Sequence, residues 1–341
     1  MRSAWQEFLA DGRHSGTGIL PVVDFMGDPA TPGRQPVPRA CRKILPHTLR
    51  TCVCALAIAV SGLPAAAVAQ TANEILRTLL TVGVPLGDGQ TVKLPQPTLA
   101  DRMTAAAQRQ QIEALAEGRN SWEDLTRRTV VAPFVLRSAE SGSEQAGPAR
   151  RVDLWFVAYG SLETLAGDDF LGNQFKAASE DAENASSARL LSDADLKKRG
   201  LPPPSAAEDP RYVAAETTLL ERVRISATTR SIKTRTAESL LAASILDPRF
   251  AGDPEFPNRW QSILRDDTGS RRLGESHVYS GLGSYVKATR LVEPQGALLI
   301  EYHVAYAEPQ AWFNGANLLQ SKLPILAQTV VRKLRRSLAT P

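Results

Sequence analysis

The sequence predicts an α+β fold: an antiparallel sheet of about six or seven strands packed against a long C-terminal helix, with helices on the N-terminal side. Two observations predict it. Segments between residues 129 and 306 have the β-branched, alternating or continuously apolar composition of strands. Residues 317–338 repeat apolar side chains at helical spacing, which predicts a helix with one apolar face.

Two helices are predicted before the strands. Residues 71–80 have the apolar period of a short helix. Thr98 is predicted to cap a second helix that runs to about Ala116, because Asp101 follows three residues later, where a capping box has an acid. Residues 70–128 are therefore expected to form an N-terminal helical segment.

The α+β domain is predicted to extend over residues 129–338. Its first strands are expected at 129–136 and 152–159, and the loop between them, 138–149, is rich in Ser, Gly and Glu. The following interval, 160–216, is acidic and contains three consecutive prolines. It is expected to be a flexible insertion.

The second half of the domain carries the clearest strand patterns. Strands are predicted at 221–228 and 239–246, and residues 285–292 pair with 297–306 in a hairpin. The helix over 317–338 contains Pro324, which predicts a kink or a later start.

Residues 42–69 have the parts of a secretory signal peptide in the right order. A basic start precedes an uncharged apolar core from Cys52 to Val60, and small residues end the segment. Cleavage is predicted between Ala69 and Gln70. A single membrane anchor is the competing interpretation, but the glycine and proline after the core favour cleavage. The mature chain is expected to be exported to the periplasm or beyond, without a transmembrane segment.

Residues 1–41 have no helical or strand period and are expected to be disordered. Positions 17–22 read Thr-Gly-Ile-Leu-Pro-Val, an element that resembles translated sequences from planctomycete-type bacterial genomes. The chain is similar to uncharacterised exported proteins of such bacteria. This resemblance suggests the hypothesis that residues 1 to about 40 come from a start codon placed too far upstream.

Composition restricts the function of the mature chain. Residues 1–69 carry seven of the 40 basic and four of the 36 acidic residues, so 70–341 hold 33 and 32, a net charge of +1. This balance disfavours a nucleic-acid partner, which requires a concentrated positive face. All three cysteines, at positions 41, 52 and 54, precede Gln70. The mature chain is therefore expected to have no disulfide, thiol nucleophile or thiolate metal site. It holds no specific cofactor motif, so no cofactor is expected.

Candidate catalytic residues are few, because the mature chain has only two histidines, His277 and His303. Glu301 and His303 are two positions apart in a predicted strand and share one face, so they could form a general-base pair or half of a metal site. The alternative is a solvated polar face. His277 lies in a Gly- and Ser-rich stretch that is expected to be a flexible connection.

Several long strands followed by a final amphipathic helix resemble the helix-grip arrangement of the START-like lipid-binding superfamily, over roughly residues 129–338. The resemblance implies a cavity between sheet and helix that holds an apolar or lipid-like molecule. Three hypotheses follow: a binding module for such a ligand, a hydrolase or isomerase that uses His303 and Glu301 with His277 nearby, and a structural envelope protein that binds other proteins.

Overall fold

The computed structural model describes residues 73–143, 147–166, 187–205, 210–265, 267, 269–313 and 318–339. Within these ranges the protein is α+β, with a ten-stranded antiparallel sheet, a small two-stranded sheet, helices on the N-terminal side and a long C-terminal helix. The predicted fold class is confirmed. The predictions for residues 1–69 lie outside the described residues.

Six α-helices and twelve strands are described. The helices are α1 (Glu74–Thr81), α2 (Ala105–Ala116), α3 (Trp122–Leu125), α4 (Leu162–Ala166), α5 (Asp193–Lys197) and α6 (Leu318–Ala339). The strands are β1 (Val84–Pro85), β2 (Thr91–Val92), β3 (Val135–Ser143), β4 (Gly147–Tyr159), β5 (Ser187–Leu190), β6 (Arg211–Leu219), β7 (Val223–Arg235), β8 (Ser239–Leu246), β9 (Arg259–Arg265), β10 (Arg271–Val278), β11 (Leu282–Arg290) and β12 (Ala297–Ala307). None of the helices in these ranges has the length and hydropathy of a membrane-spanning segment.

The strand order of the large sheet is β10-β9-β7-β8-β11-β12-β4-β3, with β6 paired to β7 and β5 to β6. β7 is long enough to pair with β9 near its start and with β8 near its end. The predicted hairpin is β11–β12, in which Tyr285 lies opposite His303. β12 also pairs with β4, where Asp153 lies opposite His303.

Both faces of the sheet are largely buried at its central strands β4, β11 and β12. On one face, α6 packs against β4 and β3 in a core of aliphatic and aromatic side chains. This core comprises Leu154, Phe156, Ala158, Leu162, Leu165, Leu240, Ala288, Leu298, Ile300, Ala327, Val331, Leu334 and Leu338. On the other face, α1, α2 and the chain between them cover the sheet, with Leu79, Leu99 and Ile112 among their buried side chains. We call these the α6 face and the N-terminal face.

The sheet has more strands than the six or seven predicted. The strands that the sequence did not indicate, β5, β6, β9 and β10, are short or carry exposed charged side chains, so their hydrophobic alternation is weak. Two of them, β5 and β6, come from the interval expected to be a flexible insertion. His277 lies within β10, which corrects its placement in a flexible connection.

Element boundaries differ from prediction in three places. The helix expected from Thr98 begins at Ala105, where the Thr104 side chain accepts a hydrogen bond from the Ala107 N–H. The loop expected at 138–149 is largely strand, because β3 and β4 pair as far as the positions beside its tip. Helix α6 continues through Pro324 instead of starting there.

Replacing Leu334 by Ala is expected to lower the free energy of unfolding by about 2–5 kcal/mol, because the buried side chain fills the core between α6 and the sheet. Ile325 on the same helix is 60% exposed. Its replacement by Ala should change stability by less than about 0.5 kcal/mol. Urea unfolding of both variants measures the difference, and equal losses would show that α6 is not packed as described.

Candidate functional site

Glu301 and His303 lie on β12 with their side chains on the N-terminal face of the sheet. Both are completely buried, at 0% exposure. The alternative of a solvated polar face is therefore wrong. Sequence periodicity placed the two side chains together on one face, but it could not show that another layer of the protein covers that face.

Asp153 completes an acid–base cluster with these two residues. His303 Nδ1 lies 2.8 Å from Asp153 Oδ1, and His303 Nε2 lies 3.5 Å from Glu301 Oε2. The imidazole packs at a ring-centroid distance of 4.6 Å from Tyr285 and edge-on to Trp155 at 5.0 Å. A protonated His303 can direct an N–H toward each carboxylate, so this arrangement suits an imidazolium.

The pKa of His303 reflects opposing influences. Burial lowers it, but the hydrogen bond to Asp153 and the charges of the Glu301 and Asp153 carboxylates outweigh burial, so the pKa of His303 is raised above its ordinary value of 6.5. Lys287 is a second buried cation on this face. Burial lowers the pKa of Lys287, and the carboxylates of Glu301 and Asp101 partly oppose that effect.

An irregular segment, residues 94–102, lies over this cluster, and we call it the strap. The Thr98 N–H donates to Glu301 Oε2 at 2.9 Å, and the Thr98 hydroxyl accepts from the Trp155 indole at 2.9 Å. The Tyr285 hydroxyl donates to the Pro95 carbonyl at 2.8 Å, and the Lys287 ammonium donates to the Leu99 carbonyl. The sheet therefore holds the strap mainly through hydrogen bonds from side chains to its backbone.

This use of Thr98 explains why the predicted helix does not begin there. Its hydroxyl and its N–H are both committed to the sheet, and Pro95 and Pro97 restrict the backbone before it. A proline cannot donate a ladder hydrogen bond, which is why side chains of the sheet supply the contacts. The capping signal that the sequence does contain acts at Thr104.

Of the three candidate catalytic residues, the structure brings Glu301 and His303 together and places His277 elsewhere. His277 is exposed on β10 and stacks on Trp260 with ring centroids 4.5 Å apart. In the described part of the chain, no group of three or more His, Cys, Asp or Glu side chains is arranged to hold a metal ion. The cluster can move a proton among Asp153, His303 and Glu301, but the strap separates it from solvent.

Sequence reasoning missed Asp153, Lys287 and the strap. Asp153 did stand in the alternating pattern of its strand, on the same face as Trp155. Its pairing with His303 depends on β4 lying next to β12, which is a contact 150 residues apart. Only the strand order shows that Asp153 and His303 are neighbours.

The α6 face offers a different environment at β7, β8 and β11. There the sheet presents half-buried small, hydroxyl and aromatic side chains instead of a closed aliphatic core. Register places them on the face that α6 covers: Ser231, Ala242, Ser244, Ser284, Val286 and Tyr302. Ser244 donates to Ser231 at 2.9 Å, and burial raises the pKa of Tyr302 to about 12.

Two polar atoms at one end of this face are buried and have no hydrogen-bond partner within the described ranges: the Tyr306 hydroxyl and the Trp312 indole N–H. Trp312 follows β12 in a short 3-10 helix, and its ring stacks on Tyr279 at a centroid distance of 5.7 Å. Tyr306 packs against the same aromatic cluster. A buried donor without a partner costs about 1–3 kcal/mol, so two together mark a place where an acceptor is missing.

An ion pair borders these atoms. Arg150 forms a buried salt bridge with Glu308, and its guanidinium also lies 2.9 Å from Glu140. Burial raises the pKa of Glu308, and the charge and hydrogen bond of Arg150 oppose that effect. The carboxylate beside Tyr306 disfavours a second anion there, so a neutral oxygen is the acceptor that suits this position.

No protein-family model matches this chain, and no curated protein matches it. Among solved structures it is similar to the crystal structure of CalU16 from Micromonospora echinospora, at 8% identity, covering 60% of this chain and 90% of that one, with a TM-score of 0.24. A likeness at this level carries no argument about function.

Replacing His303 by Gln tests the buried acid–base cluster through pH. A raised pKa in the folded state means that protonation of His303 adds stability, fully present below its unfolded pKa of about 6.5 and lost as pH rises through the folded pKa. The difference in unfolding free energy between wild type and His303→Gln should therefore be larger at about pH 5.5 than at about pH 9. Urea unfolding at both pH values measures it.

A difference that is constant, or that grows toward high pH, would contradict the description of an imidazolium between two carboxylates. Titrating groups away from His303 are common to both proteins and cancel in the comparison. NMR titration of the His303 ring in the wild type provides a second readout, and it should give a pKa above the ordinary histidine value of about 6.5.

Proposed function

We propose that the protein is a binding module for an apolar or lipid-like molecule that carries a neutral oxygen, held on the α6 face of the sheet. The observation that carries the proposal is the pair of buried donors without partners, Tyr306 and Trp312. An acceptor on the ligand would satisfy both and recover the free energy lost by burying them.

The surroundings favour a ligand that is mostly apolar. Ala242, Val286 and Tyr302 on the sheet are half-buried, as are Leu323 and Leu326 on α6. Sites for small molecules typically combine such an apolar lining with a few polar groups that set orientation. The Ser231, Ser244 and Ser284 hydroxyls add further polar groups.

The N-terminal face supports binding less well than the α6 face. Glu301 and His303 have the chemistry that a hydrolase or isomerase would use, but both are fully buried beneath the strap, which already occupies the space above them. A catalytic acid or base must come within hydrogen-bond distance of its substrate. We therefore assign this cluster a structural role, and the ligand site to the other face.

Residues 42–69 support the further proposal that the protein binds its ligand outside the cytoplasm, after cleavage near Ala69. An exported chain that begins near Gln70 would be near neutral and would contain no cysteine, so its fold would need no disulfide.

Native mass spectrometry of the gently purified protein tests the proposal, and a bound apolar molecule is the expected result. Tyr306→Phe should reduce its occupancy or affinity about three- to tenfold, because a neutral hydrogen bond contributes about 0.5–1.5 kcal/mol. The same variant should not destabilise the unliganded protein, since it removes a hydroxyl that has no partner.

Tyr159→Phe is the matched control, because its hydroxyl donates to the Thr126 carbonyl on the N-terminal face. This variant should leave ligand occupancy unchanged. The proposal is wrong if the wild-type protein carries no ligand and takes up none from a lipid extract, or if Tyr306→Phe and Tyr159→Phe bind equally well.

A further inference from the structure

A groove of about 260 Å³ lies between helix α6 and the segment that leads into β3. It is separate from the residues assigned to the apolar ligand. Its lining combines amides, guanidinium groups and apolar side chains: Asn120, Val130, Val131, Ala132, Pro133, Phe134, Gln328, Val331, Arg332 and Arg335.

Arg335 is a buried cation in the wall of this groove, only 5% exposed. Its guanidinium donates to four backbone carbonyls, those of Val157 at 2.9 Å, Val130 at 3.3 Å, Ala132 and Pro133 at 3.0 Å. These bonds fix the segment 130–134 against α6. They satisfy the donors of Arg335, but carbonyl dipoles do not neutralise its charge, and burial lowers the pKa of Arg335 to about 10.

Arg332 lies one helical turn before Arg335 on the same side of α6, and it also lines the groove. Its Nε atom is buried and has no hydrogen-bond partner in the part of the chain that the structure describes. A guanidinium is the side chain best suited to planar, two-point recognition of a carboxylate or phosphate. Arg332 therefore presents an unused donor beside a positive charge that no carboxylate offsets.

The other lining residues suit the binding of an anion, because none of them could form a structural ion pair with Arg332 or Arg335. The groove has no Asp or Glu among its lining residues. Asn120 and Gln328 can donate amide N–H groups, and Val131, 64% exposed, and Phe134 offer apolar surface at the same place. The volume of about 260 Å³ is large enough for a small molecule.

We propose that this groove binds a small organic anion, with its carboxylate or phosphate on Arg332 next to the buried guanidinium of Arg335 and its apolar part against Val131 and Phe134. The proposal does not depend on the α6-face ligand, because the two sites share no residue. An anionic lipid headgroup presents the same chemistry as a soluble anion, and the experiment separates the two sources.

Isothermal titration of the full-length protein with benzoate and with phenyl phosphate tests the soluble source. Cosedimentation with vesicles of phosphatidylglycerol, against vesicles of phosphatidylcholine alone, tests the headgroup. We expect saturable binding in at least one arm. Arg332→Gln should weaken it about tenfold or more, since a charge-assisted pair is lost. Arg332→Lys should give a smaller loss, because the charge remains but the two-point geometry does not.

Lys322→Gln is the control, since it removes one positive charge from an exposed position of the same helix, away from the groove. Binding should be unchanged in this variant, and thermal unfolding should confirm that all variants fold. Binding of phenyl phosphate or benzoate identifies a soluble anion, and binding to vesicles alone identifies a headgroup. No saturable binding in either arm, or equal losses in Arg332→Gln and Lys322→Gln, would overturn the proposal.

Discussion

The burial of both faces of the central strands β4, β11 and β12 is the constraint on which the rest of this structure depends. A buried polar side chain on these strands needs a partner inside the protein, because leaving it unpaired costs free energy. On the N-terminal face the strap provides several of those partners. Its backbone carbonyls accept hydrogen bonds from Tyr285 and Lys287, and the Thr98 hydroxyl accepts one from the Trp155 indole. The buried acid–base cluster and the strap are therefore two halves of one structural unit.

On the α6 face, some of the buried polar groups have no partner among the described residues. The C-terminal half of α6 packs on an aliphatic core, and Arg335 ties the helix to carbonyls of the sheet and of the segment before β3. Toward the other end of the helix, the donors of Tyr306 and Trp312 are buried without acceptors. The N-terminal face also holds buried atoms without partners among the described residues, such as Thr289 Oγ1 and Glu301 Oε1, but the strap already covers that face. We infer that the strap-covered face maintains the fold and that the α6 face binds a ligand.

How much could be predicted from the sequence depends on the range of the interaction. Local patterns predicted the fold class, the β11–β12 hairpin, α6 and the shared face of Glu301 and His303. The partners of these residues could not be predicted, because Asp153 and Thr98 approach them from 150 and 203 residues away. Polar edge strands such as β10 were missed because exposure on both faces removes the alternation that marks a strand. The burial of Glu301 likewise could not be predicted, because it depends on the strap, and the periodicity of β12 gives no information about the segment that covers it.

The most direct test of the account follows the side-chain N–H signal of Trp312 by ¹H–¹⁵N NMR, assigned through Trp312→Phe. The spectrum of the protein as purified is compared with that of protein stripped of bound small molecules on a hydrophobic resin. Because an indole N–H that gains an acceptor shifts downfield, we expect the Trp312 signal to move upfield on stripping and to return when the extract is added back. The signal of Trp122, which lies on the other face, should not move. An unchanged Trp312 signal would contradict a ligand on the α6 face.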